Sequence, residues 1–379
     1  MKVLYAIDSL HGGGAETSLL DMVPALRARD VELSLVTLLP DDDALTARVQ
    51  ELGVPIRRLA GYSWPKRFAE LRRELHRSRP DLLHTSLARS DMVGRAAAVG
   101  VDVPVVTTLV NSFYGPEHRA NSAYGPLVVD GAQLVDMLAA RRTTVFHAIS
   151  YAVADVMTRR LRLRADRVEV VYRGRDEARL GRRTMERREA VRTALGISTD
   201  TPLVLIVGRL DLQKAVDVAL RATGILQQTL ADVQTIVVGR NGNAARDVHE
   251  LAASMQNVRM LGHRDDVPDL MCAADCLCFP SRWEGLGGTV IEAMALELPI
   301  VASDIGPIRE ALGDVGWPLA TVDDVHAVAD GLSSLLAGGR TVAERVANGR
   351  RRYENVFTMT SVAEGMVELY SRAIAEAQR

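Results

Sequence analysis

At 379 residues the chain is too long for one ordinary core, and two domains are expected. Hydrophobic residues make up 47% and charged residues 25%, which excludes a disordered or fibrous chain. A net charge of −2 and a pI near 6.5 leave no basic excess to attract nucleic acid.

The amino terminus, "KVLYAI", reads as a strand rather than a charged head before a long apolar stretch, so no secretion signal is expected and the reading is cytoplasmic. A glycine cluster, "HGGGAE", follows, then helical spacing from Thr17 to Arg29 and a strand in "ELSLVTLL". A turn and helix around Asp42 to Leu52 lead to "IRRLA", the basic helix Pro65 to Arg79, "DLLHTS", a helix up to Gly100 and "PVVTTLV". Strands and helices in strict alternation signal a parallel sheet covered on both faces. Tyr124 to Ala140 reads as a helix, "TVFHAIS" as a strand, Tyr151 to Leu161 as a helix and "VEVVYRG" as a strand. An arginine-rich stretch of mixed charge, read as a solvated connection or short helix, then marks the domain boundary, with residues 1–172 as the first domain and 173–200 as a linker.

From Thr201 the alternation starts afresh. "PLVLIVGRL", "QTIVVGR", "VRMLG", "CLCFPS" and "PIVAS" read as strands, separated by helices at Val216 to Leu230, Ala245 to Ser254, "VPDLMCAA" and Gly288 to Ala295. The second domain is expected over 201–355, and the tail 356–379 as a last helix. Two doubly wound domains of this kind put a cleft between them, with ligands at the carboxyl ends of the strands. Cys272, Cys276 and Cys278 lie in an apolar run and read as buried positions rather than metal ligands or a disulfide framework. No apolar run is long enough to span a bilayer.

Chemistry is therefore expected in loops that follow strands. In "VGRLDLQK", Gly208 ends a strand, Arg209 follows, and Lys214 stands at the next helix. These two cations suit an anion such as phosphate, and ordinary exposed cations are the plainer alternative. In "HGGGAE", the glycines preceding Glu16 let a ligand approach the backbone at a helix start, or serve only a tight turn. The G-x-G-x-x-G spacing of a dinucleotide site is absent. "CFPSRWEGLGG" puts Glu284 after a strand, with glycine amides next to it, and Glu292 two turns on. Two carboxylates in a cleft suggest an acid and base pair, but a carboxylate also accepts a fork of hydrogen bonds from a vicinal diol. Asp41, Asp42 and Asp43 before a helix read as acidic caps rather than a metal site.

The run from Thr201 to Glu310 closely resembles the nucleotide-binding half of retaining GT-B glycosyltransferases of family 4. "GRLDLQK", "LGHRDDVPDLMCAAD" and "SRWEGLGGTVIEAMALELPIVASDIGPIRE" carry the likeness, the last with the family's E-x7-E signature. "HGGGAE", "DLLHTS", "AISYAVADVM" and "VVYRGRD" extend it over nearly the whole chain. The resemblance implies two Rossmann-like α/β domains facing across a cleft and transfer of a sugar from a nucleoside diphosphate, uridine favoured and guanosine second, with retained configuration. It implies that Arg209 and Lys214 neutralise the donor diphosphate, that Glu284 binds the donor sugar beside the amides of Leu286 and Gly287, and that Glu292 binds the ribose. His263 and Arg264 would flank the base. Gly13 and Gly14 would lie against the diphosphate from the other domain, and the last helix would pack back on the first domain.

Two positions depart from that pattern. Val110 stands where relatives often have a histidine that contacts the donor sugar, which turns attention to His84, Asn111 and Glu16 as sugar or acceptor contacts. Arg173 stands where asparagine is usual. The resemblance implies no metal, no cofactor beyond the donor and no covalent nucleophile. The acceptor is left open between a glycan, a lipid-linked sugar and a small metabolite. An epimerase or phosphorylase on the same fold and a degenerate nucleotide-sugar-binding scaffold are the other readings. The basic helix Pro65 to Arg79 could touch an anionic membrane at its inner face, a solvated face being the plainer reading.

Overall fold

A computed structural model of the chain describes residues 1–11, 13–39, 45–59, 63–122 and 124–378; Gly12 and Asp41 to Asp43 lie outside the described residues. The chain divides into two compact units, Met1–Arg175 with Thr358–Arg379, and Asp176–Phe357.

The first unit is built on a parallel sheet of β1 (Lys2–Ile7), β2 (Glu32–Thr37), β3 (Ile56–Arg58), β4 (Leu82–Ser86), β5 (Val105–Leu109), β6 (Val145–Ala148) and β7 (Val168–Val170). Their order is β3-β2-β1-β4-β5-β6-β7. Strands β4, β5 and β6 are buried along their whole length, because helices cover both faces and leave no solvated side to select polar residues. Helix Gly14–Arg27 packs Leu19, Leu20, Val23 and Leu26 onto one face of the sheet. The last helix, Met359–Ala377, lies beside it and buries Val362, Met366, Leu369, Tyr370 and Ala373, the spacing of one helical face. Thr358 caps that helix by accepting from the Ser361 amide at 3.4 Å.

The second unit repeats the plan with β8 (Leu203–Val207), β9 (Gln234–Val238), β10 (Val258–Gly262), β11 (Cys276–Phe279), β12 (Ile300–Ser303) and β13 (Leu319–Ala320), in the order β10-β9-β8-β11-β12-β13. All pairings in both sheets are parallel. The order reverses direction between β1 and β4 in one sheet and between β8 and β11 in the other. Loops that leave these strands part to opposite faces there and open a crevice for a ligand.

The stretch 173–200, expected as a linker, instead carries helices Glu177–Leu180 and Met185–Leu195, which belong to the second unit. Its arginines hold it there. Arg192 is buried and donates to the carbonyls of Ala273 (2.8 Å), Ser198 (2.7 Å) and Thr201 (2.8 Å) and to Asp275 (2.8 Å), while Arg188 reaches Asp275 at 2.6 Å. Part of this charge pattern is a set of guanidinium groups that donate to backbone carbonyls and to Asp275.

Candidate active site

In the second unit, the loops after β8 and β11 leave neighbouring strands at the point where the strand order reverses. Leu203–Val207 runs into Gly208, whose amide donates to Val238 O at 2.9 Å, and Leu210 N donates to Arg240 O at 2.9 Å. These bonds tie the β8 loop to the β9 loop. A side chain is not tolerated at Gly239, where a Cβ would lie 1.8 Å from the Gly208 carbonyl oxygen. Arg209 reaches out, its side chain largely exposed, and pairs with Asp211 at 3.0 Å. A short 3₁₀ turn, Leu212–Lys214, follows, and Ala215 takes φ 49° in the left-handed region before helix Val216–Leu226 begins. That strained turn lies beside Lys214, as strained backbone often does at functional sites.

The loop after β11 carries Glu284, 8% exposed. Its carboxylate accepts a hydrogen bond from the Lys214 ammonium. Lys214 Nζ also stands 5.2 Å above the centre of the Phe279 ring. Gly287, at φ 87°, starts helix Gly288–Ala295 without a side-chain cap; a Cβ there would lie 2.6 Å from Ile308 Cδ1. The helix therefore begins with amides of Leu286, Gly287 and Gly288 at the glycine turn, an arrangement suited to a polar or anionic ligand. Glu292, in the middle of this helix, is largely buried and receives Arg179 Nη2 at 3.4 Å.

Arg282 joins the two loops, a function that its sequence position alone does not reveal. Its amide donates to Gln213 O (2.8 Å), its Nη1 to Leu212 O (2.7 Å), and its guanidinium pairs with Asp217 (3.1 Å) and Asp323 (2.7 Å). Gln213 returns the link by donating to Trp283 O at 2.8 Å. Lys214 and Glu284 are each next to, or one residue removed from, members of this clamp. His263 and Arg264 follow β10. Arg240 Nη2 donates to His263 Nε2 at 3.2 Å, and Arg264 forks onto Asp266 at 2.7 and 2.6 Å. The Arg264 side chain is thus engaged within its own loop.

In the first unit, Gly13 precedes helix Gly14–Arg27, whose amino terminus has no side-chain cap. A Cβ on Gly13 would lie 2.6 Å from Glu16 Oε2, whereas one on Gly14 would meet open space. Burial pushes the Glu16 carboxyl above its ordinary range, with Arg173 among the groups that oppose the shift. Arg173 is half-buried as a residue, and burial of its guanidinium, near Tyr5 and Glu16, lowers its pKa from the ordinary arginine value. Asn111 Oδ1 accepts from the Ser112 amide at 2.8 Å, directly after Val110 at the end of β5. His84, expected as a sugar or acceptor contact, lies in the interior of the first unit. His84 is 1% exposed, with Nδ1 2.7 Å from Tyr370 Oη and Nε2 2.6 Å from Thr108 Oγ1. Thr108 continues to His147 at 3.0 Å, and His147 to the Val171 carbonyl at 2.8 Å. Both ring nitrogens of His84 serve this interior chain.

Each unit, a doubly wound parallel sheet with a glycine turn and a buried carboxylate after its strands, has the architecture of a half of the GT-B fold. The same fold is found in HepE of Anabaena, solved in complex with UDP and glucose, with a TM-score of 0.85 at 22% identity over 98% of this chain and 99% of that one. Residues 12–179 match the model of Glycosyltransferase Family 4 and residues 201–338 that of Glycosyl transferases group 1. The D-inositol 3-phosphate glycosyltransferase of Xylanimonas cellulosilytica is 31% identical over 320 residues, covering 80% of this chain and 75% of the relative. Alpha-maltose-1-phosphate synthase of Mycolicibacterium smegmatis is 25% identical over 96% of both chains. The chain belongs to glycosyltransferase family 4.

Proposed function

We propose that this glycosyltransferase moves a sugar from a nucleoside diphosphate donor, a uridine diphosphate sugar by preference, to a hydroxyl acceptor with retention of anomeric configuration. The observation that carries this reading is the Lys214 ammonium against the Glu284 carboxylate on loops from adjacent parallel strands. A cation and a diol-binding carboxylate side by side suit the junction where a sugar meets a phosphate. The UDP and glucose held by HepE support the choice of base.

In this reading Glu284 accepts hydrogen bonds from the donor sugar and Glu292 from the ribose, while Arg209 and Lys214 face the diphosphate. The bond from the anomeric carbon to the phosphate oxygen breaks, and its electron pair goes to the leaving diphosphate. Positive groups placed there in advance stabilise that developing charge more than the ground state, which lowers the barrier. The acceptor oxygen bonds to the anomeric carbon from the face the phosphate leaves, and its proton passes to a phosphate oxygen. Arg209 and Lys214 supply the positive charge, so no metal is needed.

A panel of nucleotide sugars, assayed for hydrolysis and transfer in the presence of a chelator, tests the proposal. Turnover is expected with a uridine diphosphate sugar, and Lys214→Ala or Glu284→Ala should lower it by about 100-fold or more with circular dichroism unchanged. No turnover of any donor, or full activity in both variants, would overturn it.

A further inference from the structure

Helix Pro126–Ala139 carries the sequence "PLVVDGAQLVDMLA". Its inward side is fixed to the first unit. Val129 is buried, Gln133 Nε2 donates to the Arg160 carbonyl at 2.8 Å, and Asp136 pairs with Arg95 at 2.5 Å. The opposite side is apolar and exposed. Leu127 is 87% exposed, and Val128, Leu134, Val135 and Leu138 are each at least half exposed, with Tyr124 at 70% just before the helix. An outward face of this kind lowers solubility unless something covers it.

Spacing and charge indicate what covers it. Leu127, Gly131, Leu134 and Leu138 are separated by four, three and four residues, the repeat of a seam that accepts another helix. Gly131 lies on that seam, and a Cβ there would meet nothing within 4 Å. A glycine inside an exposed helix is less favourable than alanine, and here it leaves a notch where a second backbone can approach closely. The helix contains no lysine or arginine, and its two acids are matched by arginines, Asp130 by Arg119 at 2.5 Å and Asp136 by Arg95. A neutral face lacks the cations with which interfacial helices hold an anionic lipid surface. It is, however, compatible with an identical face across a two-fold axis, where unpaired like charges would repel. Tyr124, Leu127, Val128, Leu134, Val135 and Leu138, all at least half exposed, form an apolar centre of the kind around which a stable interface of ~800 Å² per partner is built.

We infer that this face is the contact through which two copies of the chain form a dimer, helix against helix about a two-fold axis with Gly131 at the close approach. Sedimentation equilibrium of the full chain tests it, with Leu134→Glu and Gly131→Leu as variants, both on the solvent side of the helix. The wild type is expected at twice the 41.3 kDa chain mass at micromolar concentration. Each variant should weaken dimerisation at least about 30-fold while circular dichroism shows the monomer still folded, because one buries an unpaired charge and the other fills the notch. A wild type that stays monomeric, or a dimer that persists in Leu134→Glu, would overturn the inference. So would a monomer that floats with phosphatidylglycerol vesicles and loses that binding in Leu134→Glu, which would assign the face to lipid.

Discussion

Lys214 and Glu284 hold each other across the loops after β8 and β11, and a donor held as proposed would exchange that mutual bond for bonds to phosphate and sugar hydroxyls. Both groups are largely enclosed, which strengthens their interaction with a ligand but makes either one costly to leave alone. A second enclosed acid, Asp91, acts on stability. Its Oδ1 is buried without a hydrogen-bond partner among the described residues, and burial, opposed by Arg95, pushes the carboxyl up to about 7. An unfolded aspartate titrates near about 4, so between those values the folded chain holds more protons than the unfolded one. The stability contributed by Asp91 is therefore full below about pH 4 and is lost as pH rises to about 7. Asp91→Asn is expected to raise the melting temperature more at about pH 8 than at about pH 5. An equal effect at both would contradict this. Burial lowers His84 and draws His147 down to about 4, so they act oppositely, losing stability as the pH falls. Comparing the variant with the wild type at each pH cancels their part.

The loops after β8 and β11 are useful only in a fixed relation, and Arg282 supplies it through Leu212, Gln213, Asp217 and Asp323. Arg282→Ala is expected to lower kcat by about 10- to 100-fold with a smaller change in KM, because misplacing the groups that meet transition-state charge costs rate before binding. Arg282→Lys should restore little, since one ammonium does not replace a planar fork on several acceptors. Equal losses in kcat and in melting temperature across both variants would reduce Arg282 to a structural group. The positions of Glu284, Gly287 and Lys214 in loops after strands were legible in the sequence, because a residue type at a set distance after a strand is a local pattern. Arg282 stands in the same quoted motif and was not assigned, because its partners Asp217 and Asp323 are distant in sequence. The partners of His84 were hidden for the same reason. A histidine in "DLLHTS" offers no sign that Tyr370, supplied by the last helix, takes its Nδ1.

At the scale of the molecule, the alternation of strands and helices was legible, and helices Tyr151–Leu161, Gly288–Ala295 and Met359–Ala377 fall where their apolar spacing puts them. The two-residue strand β13 was not foreseen, since two residues carry no periodicity. Residues 173–200 read as a solvated connection or short helix, and their ties to the second unit were hidden because composition does not distinguish an arginine facing water from one facing a carbonyl. The same blindness hid the outward apolar face of Pro126–Ala139, whose pattern alone is that of a core helix. The two repeated sheets matter to function through the loops they end in, and the claim that rests on those loops is retaining transfer from a nucleotide sugar. NMR of the first sugar product formed from alpha-linked UDP-glucose, taken before the anomers interconvert, tests that claim most directly. The alpha anomer is the expected product; the beta anomer, or UDP-glucose left intact while another class of substrate turns over, would contradict it.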